Sequence, residues 1–64
     1  MTQPYQQRVI DEKTELDNKL TKLVGFFDTG IFKGLPEDEQ RRLREQSEHM
    51  TNYSAVLGAR ISAF

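Results

Sequence analysis

Apolar residues return along the first half of the chain at helical intervals. Leu16, Leu20, Leu23 and Phe27 are spaced four, three and four apart, which puts them on one face of a helix. Glu12, Lys13, Glu15, Asp17, Asn18, Lys19, Thr21 and Lys22 fill the remaining positions. This pattern predicts a helix from Tyr5 to Phe27 after a short polar lead-in, Met1 to Pro4. Pro4 fits its first turn, where a missing N–H costs nothing. The second half places Leu43, Met50, Leu57 and Phe64 at a spacing of seven. It opens on Leu35-Pro36-Glu37-Asp38-Glu39, with Pro36 suited to the first helical position and three acids suited to the positive end of the helix dipole. No proline follows Pro36, and Gly58 is the only later glycine, so this second helix can run almost to the last residue.

Between the two, Asp28-Thr29-Gly30 is a turn or helix-exit signal, with Gly30 suited to positive φ. Gly25 marks fraying or a close helix–helix approach. Ile31 and Phe32 are expected to cap the end of the core rather than face water. A connection of about seven residues falls within the usual range between packed helices, so the two should be antiparallel neighbours. The expected fold is all-α. It is an antiparallel helical hairpin over residues 1–64 as one domain, with room for a short extra N-terminal helix, assembled into a homo-oligomer.

Charges on the hairpin are arranged at i,i+4: Glu15 with Lys19, Glu37 with Arg41, Asp38 with Arg42, Arg41 with Glu45 and Arg44 with Glu48. Each such pair contributes roughly 0.2–0.5 kcal/mol on an exposed face. Between Leu43 and Met50 the inward position is Gln46 or Ser47, a polar break of the kind that sets register or oligomer state. Gly58 sits mid-helix, where a small residue permits close backbone contact or a kink.

Composition narrows the function classes. The chain has 64 residues, no cysteine and 36% hydrophobic residues. A core this thin usually supplies about 3–5 kcal/mol unless oligomerisation or a ligand adds to it. Charged residues make up 30% but the net charge is only -1. That argues against non-specific DNA binding, which needs a basic excess. No apolar run reaches membrane-span length and no signal segment is apparent, so the expected location is the cytoplasm. With Met1 in first place, the chain is expected to be a complete small protein.

His49 is the only histidine, so one protomer cannot build a two-histidine metal site. Ser47, Ser54 and Ser62 have no base and orienting group within a short hairpin, and no glycine-rich phosphate loop is present. Neither catalysis, metal nor cofactor is expected. Binding remains. One helix pair cannot cover Tyr5, Val9, Ile10, Phe26, Phe27, Ile31, Phe32, Met50, Val56 and Phe64, so self-association is expected. An oligomer also creates a concave pocket that the hairpin lacks. Lys19, Lys22 and Arg60 are cations able to meet phosphates. Tyr5 and Tyr53 are aromatic faces able to stack on a base, and Thr21, Asn52 and Ser54 can read base edges. Taken singly, each has an ordinary reading as surface charge, core edge or frayed end.

The run Tyr5-Gln6-Gln7-Arg8-Val9-Ile10-Asp11-Glu12-Lys13-Thr14-Glu15-Leu16-Asp17, followed by Lys19, Lys22-Leu23 and Phe26, carries a resemblance. So does Leu35-Pro36 with Glu39, Leu43, Gln46, Met50, Tyr53-Ser54, Leu57-Gly58, Arg60-Ile61 and Ala63-Phe64. Together they resemble the helical-hairpin domain shared by phage anti-CBASS sponges and one class of Thoeris anti-defence proteins. The resemblance implies an α-helical homohexamer without chemistry, acting in the host cell cytoplasm. It implies binding of the cyclic nucleotide messengers of bacterial anti-phage immunity between protomers. Cyclic dinucleotides such as cGAMP and cyclic trinucleotides are favoured here, because the Thoeris-directed relatives, which take cyclic ADP-ribose isomers, tend to carry extra sequence. By the same resemblance Tyr5 stacks on bases, Lys19 or Lys22 meets phosphate, and Arg60 contacts ligand. Arg8 lies in the matched run, for ligand or for structure. The competing reading is a structural or protein-binding coiled-coil module, an adaptor or inhibitor of a host protein, motivated by the seven-residue spacing from Leu43 to Phe64.

Overall fold

A computed structural model describes residues 2–64; Met1, the start of the polar lead-in, lies outside them. The order is α1 (Pro4–Phe26), α2 (Gly30–Lys33) and α3 (Glu37–Ser62), and α1 packs antiparallel on α3. The extra short helix therefore lies between the long ones, not at the N-terminus. Pro4 is the first residue of α1, as its missing N–H allows. The Gln3 N–H ahead of it donates to Gln6 Oε1 at 2.8 Å, which satisfies one of the free donors of a helix start. At α3 the start is one residue later than the sequence implied. Pro36 is the N-cap with extended backbone, and Glu37, Asp38 and Glu39 form the first turn.

Inward-facing positions on both long helices alternate by three and four. On α1 they are Gln6, Val9, Lys13, Leu16, Leu20 and Leu23, continued by Phe27 at its C-cap; on α3 they are Gln40, Leu43, Ser47, Met50, Ser54, Leu57 and Ile61. That alternation is a coiled-coil seam. It uses up the seven-residue repeat of α3 inside the chain itself. Among the described residues the buried apolar ones are Val9, Phe32 and Leu57, of which Phe32 and Leu57 are fully buried, and Ser54 is the buried polar one. The molecule measures 48 × 15 × 13 Å, with a radius of gyration of 14.8 Å. A compact chain of this length would have a radius near 11 Å. The fold is a rod one helix pair thick.

Residues 27–36 turn the chain with ordinary backbone. No residue among those described has a positive φ, so Gly30 does not take the left-handed conformation expected of it; it opens α2 instead. Thr29 organises the turn. Its hydroxyl donates to the Phe26 carbonyl at 2.7 Å and accepts the Phe32 N–H at 3.2 Å, closing α1 and capping α2. Phe32 is thereby buried against Phe26 and Phe27, with ring centroids 5.8 and 4.8 Å away. Ile31, expected beside it in the core, is 73% exposed. The Arg44 guanidinium lies 5.2 Å from both the Phe27 and Phe32 ring centres, a cation–π contact that ties α3 to the turn. Gln40 completes the junction by donating from Nε2 to the Leu35 and Lys33 carbonyls at 2.9 and 3.2 Å. Gly25 has nothing within 4 Å of where a Cβ would stand, so it marks no close approach between helices.

Candidate functional site

Polar residues inside the seam come first, because they decide which side chains are free. Lys13 Nζ donates to Asp17 Oδ2 at 2.7 Å and to Ser54 Oγ at 3.0 Å, and Ser54 Oγ donates to Asp17 Oδ1 at 2.5 Å. The loop of three groups is closed, and no buried side-chain polar atom among the described residues is left unpaired. The hydrogen bond from the Lys13 ammonium, then the one from the Ser54 hydroxyl, hold the Asp17 carboxyl below its ordinary value of 3.8. Lys13 passes close to Gly58: a Cβ there would stand 3.4 Å from Lys13 Cε, an ordinary contact distance. Ser54 is therefore committed to the hairpin and is not the base-edge reader the sequence suggested. The Thr21 hydroxyl donates to the Asp17 carbonyl at 2.9 Å but stays exposed, with its lone pairs open.

The surface charges also pair differently from expectation. Among the described residues the ion pairs are Lys13–Asp17 at i,i+4, with Arg41–Asp38 and Arg42–Glu39 at i,i+3. The expected i,i+4 pairs of Glu15, Glu37, Glu45 and Glu48 are not formed. Asp38 and Glu39 instead meet the arginines three residues on. This leaves Arg8, Lys19, Lys22, Lys33, Arg44 and Arg60 without an ion-pair partner among the described residues; all six are exposed, with Arg44 over the Phe27 and Phe32 rings.

The six sequence-nominated residues fall into separate patches. Tyr5 is 55% exposed and stacks edge-on against Phe64, with centroids 5.8 Å apart. Antiparallel pairing brings the Arg60 turn of α3 to this same end, where Arg8 also lies. Lys19 and Lys22 stand in the C-terminal third of α1. Fourteen residues separate Tyr5 from Lys19, roughly 21 Å at the helical rise. Tyr53, 46% exposed, lies on the outer face of α3, seven residues before Arg60. No one ligand of small size touches all six on one chain.

Tyr53 lines an open groove of about 420 Å³ with Arg42, Glu45, Gln46, His49 and Met50, all on α3. A smaller, more polar groove of about 340 Å³ runs along Ser47, Glu48, Thr51 and Asn52. Of the two candidates for the inward break, Gln46 and Ser47, Gln46 faces outward into the first groove. The inward partner of Leu43 and Met50 is Ser47. One signal was available: if Leu43, Met50, Leu57 and Phe64 are one half of a heptad seam, the residues three before each are the other half. Those are Gln40, Ser47, Ser54 and Ile61. The groove residues Arg42, Gln46 and His49 carried no such signal.

Residues 3–63 match the Sequestin family, and the chain belongs to it. No curated protein and no solved structure matches the chain. Membership implies a protein that binds and sequesters rather than one that catalyses. Among the described residues no helix is long and apolar enough to cross a membrane.

Proposed function

We propose that the chain is a non-enzymatic sponge for cyclic oligonucleotide second messengers of bacterial anti-phage immunity. Its ligands are cyclic dinucleotides such as cGAMP and cyclic trinucleotides. It holds them between protomers of a homohexamer in the infected cell's cytoplasm. The observation that carries this reading is Sequestin membership across residues 3–63. Exposed cations without an ion-pair partner among the described residues, Arg8, Lys19, Lys22 and Arg60 included, support it, since a ligand with two or three phosphates needs such groups. So does the separation of Tyr5 from Lys19 and Lys22, because patches roughly 20 Å apart on one helix meet one ligand only when different protomers supply them. Within this reading Tyr5 and Tyr53 stack on bases, Lys19, Lys22 and Arg60 meet phosphates, and Arg8 adds charge beside Tyr5.

The coiled-coil adaptor reading drew on the spacing from Leu43 to Phe64. That seam is filled by α1, so it no longer calls for an external helix. Titration calorimetry against a panel of cyclic di- and trinucleotides tests the sponge. Saturable heats are expected, with the nucleotide recovered intact after the loaded protein is heated. Absence of heat and of thermal shift with every member of the panel refutes it. Arg60→Ala or Lys22→Ala is expected to weaken binding while leaving the sedimentation profile unchanged.

A further inference from the structure

We propose that the outer groove of α3 is a base-reading subsite selective for guanine. The inference rests on the sponge reading for its ligand class and on the groove for its choice of base. Four observations carry it. His49 and Tyr53 are one helical turn apart and line the groove together with the Met50 thioether, three polarisable groups on which a base can lie. One turn earlier, Glu45 and Gln46 bring a carboxylate and an amide to the same groove. Glu45 has no ion pair among the described residues, its expected partner Arg41 being turned to Asp38 at 3.5 Å. Arg42, held by Glu39 at 3.1 Å, closes the groove beyond them.

The chemistry of that set is specific. Guanine presents two adjacent donors, N1–H and the exocyclic amine, which an ionised carboxylate accepts in parallel. Adenine presents an acceptor, N1, where guanine has a donor, so the same carboxylate meets a lone pair and repels it. Gln46 can serve the neighbouring carbonyl oxygen of guanine through its amide N–H. A base lying over His49 and Tyr53 with this edge toward Glu45 points its sugar and phosphate the other way, along the α3 stripe toward Arg60. Tyr53 and Arg60 are seven residues apart, roughly 10 Å, about the reach from a stacked base to its own phosphate. Groove and cation are thus ordered as base then phosphate on one face of one helix. The groove is open on the side away from α3, and a second protomer would close it.

A paired test separates this inference from the sponge reading. Binding of cyclic di-GMP, cGAMP and cyclic di-AMP is measured by calorimetry on the wild-type chain and on Glu45→Gln. Roughly 10–100-fold preference for the guanine-containing ligands is expected, the usual contribution of hydrogen bonds to a charged group. Glu45→Gln should bring that ratio close to one while cyclic di-AMP affinity stays the same or rises. In parallel, GMP and AMP are titrated while the ring protons of His49 and Tyr53 are followed by NMR. GMP should shift both rings at roughly 10–100-fold lower concentration than AMP does. Equal affinity for all three cyclic ligands, or a guanine preference that survives Glu45→Gln, overturns the subsite. GMP-selective shifts without binding of any cyclic nucleotide would keep the subsite and sink the sponge. Binding of cyclic nucleotides with no GMP-selective shift would do the reverse.

Discussion

Leu57→Ala is the sharpest probe of the seam. Leu57 is 0% exposed, one of three buried apolar residues, and its seam neighbours on α3 are Ser54 and Ile61. Truncating a buried Leu to Ala costs about 2–5 kcal/mol, the upper part of that range arising where the surroundings cannot collapse into the cavity. A rod with one packed interface can close partly by shifting one helix, so about 3 kcal/mol is expected. One core in a chain this short usually supplies only about 3–5 kcal/mol. Leu57→Ala should therefore remove most of the fold's margin. Val56 provides the control on the next residue. It is 57% exposed, so Val56→Ala should cost the hairpin well under about 1 kcal/mol, in line with other surface changes. Urea unfolding followed by far-UV circular dichroism, at one fixed protein concentration because association raises the midpoint, measures both. Equal losses for the two variants, or a loss below about 1 kcal/mol for Leu57→Ala, would refute the assignment of the seam.

Two further outcomes follow from the polar network and the glycines. Asp17 has a folded value below its ordinary 3.8, so its stabilisation is present above 3.8 and fades as pH falls through the lower folded value. Acid unfolding should show this loss below about pH 4, and Asp17→Asn should flatten that part of the profile. Gly58→Ala places a methyl at ordinary contact distance, 3.4 Å, from the movable end of Lys13. It should raise the melting temperature through a gain of up to about 1 kcal/mol in helix propensity, whereas Gly58→Leu, which must displace Lys13, should lower it.

The sequence was most readable where burial follows a period. Leu16, Leu20, Leu23, Leu43, Met50 and Leu57 all lie on the seam; their spacing located both helices, and the short connection between them gave the antiparallel pairing. The other half of the α3 seam was obscured because Gln40, Ser47 and Ser54 are polar. Each is inward for a reason that only the partner groups reveal, as with Ser54 between Lys13 and Asp17. α2 escaped notice because four residues carry no period; it exists because Thr29 caps it and Phe32 anchors it. Ion pairs at i,i+3 and i,i+4 are nearly equal in energy, so spacing could not choose between them. Tyr53 was legible as an exposed aromatic, and Lys19, Lys22, Arg8 and Arg60 as surface cations. The wall beside Tyr53 was not, since Arg42, Gln46 and His49 read as an ordinary solvated helix face until their shared groove is seen.

The rod shape has a consequence for how such a chain can change. Its 4882 Å² of accessible surface exceeds the roughly 4200 Å² typical of a folded chain of this mass. Nearly every side chain has one side open to solvent, and few positions are constrained by burial. Val9, Phe32, Leu57 and the Lys13–Asp17–Ser54 loop hold the fold, while the outward stripes can be rewritten at little thermodynamic cost. A scaffold built this way can exchange one recognition surface for another by single substitutions without first refolding around them. Its mutational freedom lies where recognition is proposed to occur.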